Sequence, residues 1–309
     1  MKIVTAGIGG VGGYFGGLLA RQYHNSETEI FFIARGAHET AIRTAGLKME
    51  TGDGNFTAHP AGVFSNPSDV GIADLIIFCT KSYDLEETAN ACKPIAGSNT
   101  ILLPLLNGVD ASGRLKKIFP DSEVWDGCVY LVSRLASPGV IRESGNIRKL
   151  FFGSDAGSES KLFSAEKLFR DAGIDAAWSK NITETTWEKF LFISPMATLT
   201  SFLDRPIGAV FANAESVKML DSLLQEIKAV ADSKKILLPE SVTQKNIEKL
   251  KSLPDGATTS MHSDFKKGGK TELESLTGYV VREAGLMNVP VPTYQMMYER
   301  LKSPAVPAS

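Results

Sequence analysis

The sequence predicts an α/β fold in which a parallel sheet covered by helices is followed by an all-helical region. Over the first 180 residues, short apolar runs alternate with amphipathic stretches, a pattern typical of right-handed βαβ units. Beyond about residue 180, the strand patterns stop and apolar residues follow helical spacing. The 309 residues also exceed the roughly 250 to 300 at which single hydrophobic cores stop growing. We therefore expect two domains, residues 1–180 and 181–309.

Short apolar runs predict the strands of the first domain. Lys2–Ala6 is a short apolar strand, and Tyr14–Tyr23 has the spacing of the helix that follows it. Three continuous apolar runs suit strands buried on both faces, namely Glu29–Ala34, Asp74–Thr80 and Thr100–Leu106. Between residues 131 and 150, turn signals at Pro138-Gly139 and Ser144-Gly145-Asn146 separate short β-type runs. These signals predict hairpin strands that close the domain.

Helix signals dominate the second domain. Two capping-box-like starts, Asn181–Glu184 and Thr185–Glu188, predict a helix that carries an apolar aromatic face. Two further helices are predicted by apolar residues at helical spacing, Val217, Leu220, Leu224, Ile227 and Ala231 in one and Leu273, Leu276, Val280 and Ala284 in the other. Residues 178–183 are expected to join the domains, and residues 303–309 to form a frayed tail.

Charge and composition exclude several classes of function. The 33 lysines and arginines against 35 acidic residues give a formal net charge of −2, and both signs are interspersed along the chain. Nucleic-acid binding needs a clustered positive excess and membrane-surface binding a polybasic patch, so neither is expected. No apolar stretch reaches the ~18 to 20 residues of a membrane span. The expected partner is a small molecule, and the oligomeric state is left open, with a homodimer as one candidate.

Cysteine and histidine usage indicates a reducing compartment and disfavours metal binding. Cys79, Cys92 and Cys128 are odd in number and have no C-x-x-C spacing, which argues against a disulfide framework. We therefore expect a cytoplasmic location. The four histidines are scattered without ligand spacing, so no metal site is expected.

A glycine-rich turn opens the first predicted helix and matches the pattern G-x-G-x-x-G. It follows the first predicted strand and consists of Gly7, Ile8, Gly9, Gly10, Val11 and Gly12. The glycines permit a tight turn and let backbone N–H groups approach a pyrophosphate, while the helix N-terminus favours an anion. In this context the pattern predicts a Rossmann-like dinucleotide-binding domain, with all six residues as candidate cofactor ligands.

The end of the second predicted strand distinguishes between dinucleotides. An NAD site usually carries Asp or Glu about 20 residues beyond the glycines, where it accepts a hydrogen bond from the ribose 2′-OH. This strand ends instead in Ala34-Arg35-Gly36, and the Arg35 guanidinium can bind a 2′-phosphate through charge-assisted hydrogen bonds. The sequence thus predicts NADPH, with a solvated surface arginine as the alternative interpretation. FAD is disfavoured because the sequence has no second dinucleotide-type unit.

Further motifs resemble those of the ketopantoate reductase (2-dehydropantoate 2-reductase) family over nearly the whole chain. Each motif is common by itself, but the ordered set is specific. The matching segments are Cys79-Thr80-Lys81 at a strand end, Leu106-Asn107-Gly108-Val109, Trp187-Glu188-Lys189, Thr259-Ser260-Met261-His262-Ser263-Asp264 and Lys270-Thr271-Glu272. The resemblance implies an NADPH-dependent oxidoreductase that acts on a CH–OH group and reduces 2-dehydropantoate to pantoate in pantothenate and CoA biosynthesis.

The resemblance also implies roles for individual residues. Lys189 would be the proton donor, since hydride delivery to a keto carbon builds negative charge on its oxygen, which an ammonium can stabilise and protonate. Asn107 and Ser260 would contact the substrate. Asn107 and Glu272 would contact the cofactor, and Lys81 the nicotinamide end of the dinucleotide. Taken singly, Lys189 is also compatible with a solvated helix face and Ser260 with a helix cap.

The departures from the family pattern concern the substrate. The family typically places asparagines one and two helical turns after the catalytic lysine, where this chain has Ile193 and Ala197. The position before Gly208, usually polar, is Ile207. The lost donors could be replaced by neighbouring hydroxyls, for which the candidates are Ser194, Thr198 and Thr200. Pro195 is expected to kink this helix or shift its register.

These departures leave alternative functions open. One is an NADPH-dependent reductase of another small branched 2-keto acid, and another is a hydroxyacid or opine-type dehydrogenase. A non-catalytic NADP(H)-binding sensor is the third. Retention of Lys189, Asn107, Ser260 and Glu272 together favours an enzyme.

Overall fold

The computed structural model describes residues 1–145, 147–154 and 157–303, and the chain divides into two compact units. The first unit comprises Met1–Leu106 and Ala111–Ile182. The second comprises Asn107–Asp110 and the chain from Thr183 onward. A four-residue segment from the middle of the sequence therefore belongs to the second unit. Asn146 and residues 304–309, which include part of the predicted turn and most of the predicted tail, lie outside the described residues.

The strands all lie in the first unit as far as the chain is described. In chain order they are β1 Lys2–Ala6, β2 Glu29–Ile33, β3 Leu47–Thr51, β4 Gly54–Ala58, β5 Gly62–Phe64, β6 Ala73–Phe78, β7 Ala96–Pro104, β8 Glu123–Val124, β9 Asp126–Tyr130, β10 Ser133–Ser137, β11 Val140–Glu143, β12 Lys149–Gly153 and β13 Asp175–Trp178.

The helices are found in both units. In chain order they are α1 Gly10–Gln22, α2 Gly36–Ala45, α3 Leu85–Cys92, α4 Ala111–Ile118, α5 Glu159–Asp171, α6 Ile182–Leu203, α7 Ile207–Phe211, α8 Ala214–Ser233, α9 Val242–Lys251, α10 Ser260–Lys266, α11 Tyr279–Met287 and α12 Pro292–Lys302. Short 3₁₀ turns occur at Pro67–Asp69, Ser82–Asp84 and Lys93–Ile95, and a π-helical turn at Glu274–Gly278.

A six-stranded parallel sheet forms the centre of the first unit and confirms the predicted α/β class. Its strand order is β5-β2-β1-β6-β7-β8, with every neighbouring pair parallel. The predicted apolar runs form β1, β2, β6 and β7, and their side chains are buried on both faces. From β1 the chain moves to β2 on one side and later to β6 on the other. The carboxyl ends of β1 and β6 therefore flank the switch point of strand order, where open α/β sheets bind ligands.

Two smaller sheets complete the first unit. Strands β10 and β11 form the predicted antiparallel hairpin around Pro138-Gly139. Strand β11 also pairs in parallel with β3, giving a four-stranded sheet of order β10-β11-β3-β4, and β12 pairs with β9 and β13. The segment 131–150 thus contributes to two sheets and is more than a closing hairpin, because its strands find partners far away in sequence.

The first helix begins earlier than its amphipathic pattern predicts. Helix α1 starts at Gly10 rather than at Tyr14, so the second half of the glycine motif is its first turn. The apolar pattern cannot show this because glycine has no side chain to count toward a helical face. Gly12, Gly13, Gly16 and Gly17 are all buried, which lets α1 pack closely on the strands beneath it.

The described part of the second unit is helical, as predicted. Helix α6 runs continuously from Ile182 to Leu203 with Pro195 inside it. Side chains from α6, α8, α11 and α12 supply the core, with Phe190, Leu224, Val280 and Tyr294 all at most 1% exposed. Across the described residues, no helix combines the length and apolar character that a bilayer crossing would require.

Candidate functional site

Gly7 has a backbone conformation that favours glycine at the turn between β1 and α1. Its φ of +95° lies in the region that L side chains rarely adopt, and its N–H donates to the Ile33 carbonyl at 3.1 Å. A Cβ at this position would come within 2.8 Å of Thr80 Cγ2 and 2.9 Å of the Thr80 amide nitrogen. The ends of strands β1 and β6 therefore meet closely at Gly7, the first residue of the predicted dinucleotide loop.

The glycine loop is open at Gly9, the residue before α1, whereas a Cβ on Gly10 at the helix start would lie 2.2 Å from the Ser133 carbonyl oxygen. A Cβ on Gly9 would meet no described atom within 4 Å, whereas one on Gly12 would collide with the Gly7 carbonyl oxygen at 2.0 Å. No described side chain caps α1, and its first turn carries no acidic residue. The first N–H groups of a helix have no intrahelical acceptors, so this end suits an anionic group. The loop thus fits the pyrophosphate of a dinucleotide.

Arg35 follows β2 and is paired with an acid that the sequence analysis missed. Its Nη1 lies 2.9 Å from Oε1 of Glu87 on α3, and the two side chains are 64% and 67% exposed. Such an exposed pair is held weakly and is open to competition from a stronger anion. The sequence gives no sign of this pairing because the partners are 52 positions apart.

His38 contacts the glycine loop and was also missed. Its Nε2 lies 2.7 Å from the Ile8 carbonyl oxygen, and the Gly139 N–H donates to its Nδ1 at 2.8 Å. Burial lowers the pKa of this imidazole. A histidine in the first turn of α2 thus joins the loop to the β10–β11 turn, a connection that its scattered position in the sequence does not predict.

Lys81 stands at the end of the β6 segment, as predicted, and is half-buried. It precedes the 3₁₀ turn Ser82–Asp84. The neighbouring Thr80 hydroxyl is buried and makes no hydrogen bond within the described chain. A buried hydroxyl without a partner is costly.

In the second unit, the structure brings Lys189 and Asn107 together. Lys189 Nζ on α6 donates to Asn107 Oδ1 at 2.9 Å, and both residues are half-buried. The same part of α6 packs its aromatic side chains against α11. Trp187, Phe190 and Tyr279 have ring centroids 5.5 to 6.2 Å apart, and burial raises the pKa of the Tyr279 hydroxyl. An apolar, rigid support thus surrounds the turn of helix that carries Lys189.

Ser260 and Glu272 occupy different environments. Ser260 is exposed at the first position of α10. The N-cap of that helix is Thr259, whose Oγ1 accepts a hydrogen bond from the His262 N–H at 3.2 Å. Ser260 is therefore not the capping residue. Glu272 is 3% exposed, and its carbonyl accepts from the Leu276 N–H at 3.0 Å where the π-helical turn begins. A buried carboxylate needs partners, and its burial sets it apart from an ordinary surface acid.

The hydroxyls considered as replacements for the missing asparagines are engaged in the core of the second unit. Ser194, Thr198 and Thr200 are each 0% exposed. Ser194 Oγ contacts the Leu276 carbonyl oxygen at 2.8 Å and the Tyr294 hydroxyl at 2.7 Å, Thr198 bonds Thr277, and Thr200 bonds the Met196 carbonyl. Ser194 and Thr198 join α6 to the π-helical turn and α12, whereas the Thr200 bond lies within α6. The replacement hypothesis is therefore wrong in its choice of residues.

Metal-binding and disulfide chemistry find no support in the described chain. Within residues 1–145, 147–154 and 157–303, no group of three or more His, Cys, Asp or Glu side chains is arranged to hold a metal ion. The three cysteines are buried, and none of them forms a disulfide within the described residues. Burial raises the pKa of the Cys92 thiol to about 12 and that of Cys79 further, so both are neutral thiols of low reactivity.

Family models match both parts of the chain. The model described as ketopantoate reductase PanE/ApbA matches residues 3–157, and the model of the ketopantoate reductase PanE/ApbA C terminal matches residues 181–305.

Similar proteins cover nearly the full length. The crystal structure of 2-dehydropantoate 2-reductase from Porphyromonas gingivalis W83 is 37% identical, with a TM-score of 0.86 over 98% of this chain and 99% of that one. The 2-dehydropantoate 2-reductase of Halobacterium salinarum is 26% identical over 98% of each chain. A ternary structure of D-mandelate dehydrogenase with NADH and anilino(oxo)acetate has a TM-score of 0.84 and covers 97% of each chain. Its 24% identity makes that likeness one of fold.

Proposed function

Because the chain belongs to the ketopantoate reductase PanE/ApbA family of oxidoreductases, we propose that it uses NADPH to reduce 2-dehydropantoate to pantoate. The observation that carries this proposal is the hydrogen bond of 2.9 Å from Lys189 to Asn107. It holds an ammonium group in a defined position on an apolar support, as a proton donor requires. The first unit would bind the cofactor, and the second would supply the acid.

Lys189 would act on the substrate carbonyl oxygen. The cofactor, when bound, would supply a hydride for the keto carbon, and negative charge would develop on the substrate oxygen that Lys189 faces in this proposal. An ammonium carries three N–H donors, and the bond to Asn107 restrains its rotation. The charged donor stabilises the developing alkoxide and transfers a proton to it. Asn107 would also contact the substrate and the cofactor, and the exposed hydroxyl of Ser260 would bind the substrate carboxylate.

The first unit would hold the dinucleotide through backbone and side-chain groups. The uncapped N-terminus of α1 and the open space at Gly9 suit the pyrophosphate. Arg35 would exchange its ion pair with Glu87 for the 2′-phosphate, because a phosphate is the stronger anion. Lys81 would contact the nicotinamide end, and Glu272 would also contact the cofactor. The three cysteines are buried and outside any disulfide in the described chain, which is compatible with a reducing cytoplasm, the location that we propose.

A second candidate substrate is another small branched 2-keto acid. Ile193 is half-buried and Ala197 is 0% exposed, so neither supplies the amide donors that the family places one and two turns after the lysine. The inward-facing hydroxyls of Ser194 and Thr198 do not replace them. A site with fewer donors discriminates less against substrates that lack a hydroxyl. This favours a broader or more apolar keto-acid preference.

The test is NADPH oxidation with a panel of 2-keto acids. The panel contains 2-dehydropantoate and branched keto acids that have the same carbon skeleton but no hydroxyl group. Turnover of 2-dehydropantoate with the highest kcat/KM supports the pantoate assignment. A higher kcat/KM with another keto acid would assign that compound as the substrate and would still support a reductase function. Tight NADPH binding with no turnover of any member would contradict the reductase and favour a sensor.

A further inference from the structure

We infer that His38 is a positioning residue for the dinucleotide loop, which it holds through the Ile8 carbonyl so that the next peptide N–H faces the cofactor. This inference rests on the proposed function, since the loop must bind a dinucleotide. The imidazole would touch the loop and not the reacting atoms. The contact joins residues 30 positions apart, and no motif in the sequence includes it.

The two hydrogen bonds of His38 define which ring nitrogen carries the proton. The Gly139 backbone N–H can only donate, and it lies 2.8 Å from Nδ1, so Nδ1 must be unprotonated. In the neutral ring the proton then sits on Nε2, which donates to the Ile8 carbonyl oxygen at 2.7 Å. Burial lowers the pKa of the ring and so favours this neutral form. The imidazole therefore acts as a fixed donor toward the loop.

Holding the Ile8 carbonyl also orients the Gly9 N–H. In a planar trans peptide, the C=O of one residue and the N–H of the next point in opposite directions. A carbonyl drawn toward His38 thus turns the Gly9 N–H away from His38. Gly9 is the residue at which an added Cβ would meet nothing within 4 Å, and it precedes the uncapped first turn of α1. Gly9, on one side of this peptide, would otherwise leave its orientation less restricted.

The surroundings of His38 favour a role in alignment over a role in general packing. Ile8 is 4% exposed and already belongs to the core of the first unit, so its side chain anchors the loop independently of the histidine. What His38 adds is one donor at the carbonyl. The same segment carries Arg35, three residues earlier, before the start of α2. One short segment would thus bind the 2′-phosphate and orient the pyrophosphate loop.

Substitution of His38 by either of two amide side chains, glutamine or asparagine, tests its two hydrogen bonds one at a time. In His38→Gln the amide nitrogen takes the place of Nε2, so the bond to Ile8 is kept. In His38→Asn the shorter amide reaches only the position of Nδ1, so the bond to Gly139 is kept and that to Ile8 is lost. His38→Ala removes both. The matched control is His24→Ala, since His24 is an exposed histidine of the same unit whose Nδ1 lies 3.3 Å from the His59 carbonyl oxygen.

The experiment measures the NADPH Kd by fluorescence titration, thermal stability without cofactor, and kcat at saturating NADPH for each variant. One lost hydrogen bond corresponds to a Kd increase of about 5- to 10-fold. We expect that increase in His38→Asn and His38→Ala, a value near wild type in His38→Gln and His24→Ala, and nearly unchanged kcat in all four.

Three outcomes would contradict these expectations in different ways. Equal Kd values for wild type and His38→Asn would overturn the inference while leaving the proposed function intact. An increase in the NADPH Kd of His38→Gln as large as that of His38→Asn would also overturn the inference, because the donor at the Nε2 position would then not affect cofactor binding. Failure of the wild type to bind NADPH or NADH would overturn the proposed function and the inference with it.

Discussion

Lys189 and Asn107, 82 positions apart in sequence, are joined by a hydrogen bond of 2.9 Å from Nζ to Oδ1. Asn107 belongs to the four-residue segment Asn107–Asp110, which lies in the helical second unit although the chain on both sides of it belongs to the first. The amide oxygen accepts a hydrogen bond from the ammonium and so restrains its direction. Under the proposed function, this contact would position Lys189 as the acid.

Asn107→Ala should lower activity more than it lowers stability. The half-buried lysine would lose its hydrogen bond to Asn107 and be less restrained, so we expect kcat to fall about 10-fold or more, as for misplaced catalytic groups. The measurement is steady-state NADPH oxidation on the best keto acid, alongside thermal unfolding. Asn107→Asp serves as comparison, because it keeps an acceptor but adds charge. Unchanged kcat in Asn107→Ala would show that the restraint has no catalytic role.

Glu87→Gln should increase the preference for NADPH over NADH. Removing the carboxylate frees Arg35 from an exposed ion pair worth at most about 1 kcal/mol, so the NADPH Kd should fall by up to about 5-fold. NADH has no 2′-phosphate, and its Kd should not change. Both constants can be measured by titration at low and moderate salt.

The neighbouring Glu86 provides the control for that change. Its carboxylate accepts from Arg114 at 2.6 Å, and this interaction holds the pKa of Glu86 below its ordinary value. Glu86→Gln removes a carboxylate from the same helix without touching Arg35, so it should leave the ratio of the two Kd values unchanged. An equal effect of both substitutions would assign the change to general charge rather than to the pair.

Ser194→Ala should destabilise the second unit without changing substrate preference. The substitution leaves the buried Tyr294 hydroxyl and the Leu276 carbonyl without their Ser194 partner, at a cost of about 1 to 3 kcal/mol in the free energy of unfolding. Urea unfolding measures that cost, and kcat/KM across the keto-acid panel should keep its order. A changed order of kcat/KM among the keto acids would indicate that Ser194 takes part in substrate binding.

Acidification should weaken the fold through His38. Burial lowers the pKa of His38 in the folded state below the 6.5 of an ordinary histidine, so the unfolded chain binds the proton more readily. This contribution to stability is fully present above about pH 6.5 and declines as the pH falls through 6.5 toward the folded pKa. Urea unfolding of wild type and His38→Gln at pH 7.5 and 5.5 checks the sign, since the variant should lose less stability. A larger loss in the variant would contradict it.

Much of the central sheet could be predicted because its strands are buried on both faces. Continuous apolar runs at β1, β2, β6 and β7 carry that signal directly. Strands β3 and β4 escaped prediction because neither is a continuous buried apolar run: Lys48 in β3 is exposed beside the buried Met49, and in β4 only Ala58 is buried. Short runs of that kind acquire their conformation from pairing partners elsewhere in the chain.

The residues of the candidate site also differ in how far the sequence predicts them. Motifs with a local meaning, such as the glycine turn and the strand end at Lys81, were recognised from sequence. The contacts of Arg35 with Glu87 and of His38 with Ile8 were not, because they join segments that meet only in the folded chain. The inward orientation of Ser194 likewise depends on the packing of α6 against α12 and the π-helical turn, to which sequence spacing gives no guide.

The most direct test of the central claim is kcat of Lys189→Met with NADPH and the best keto acid at saturating concentrations. Methionine keeps much of the side-chain length and removes the ammonium, while Glu188→Gln changes the exposed neighbouring residue on the same helix. We predict that kcat falls at least about 100-fold in Lys189→Met, with the NADPH Kd within about 2-fold of wild type and Glu188→Gln nearly fully active. Wild-type kcat in Lys189→Met would contradict the assignment of Lys189 as the proton donor.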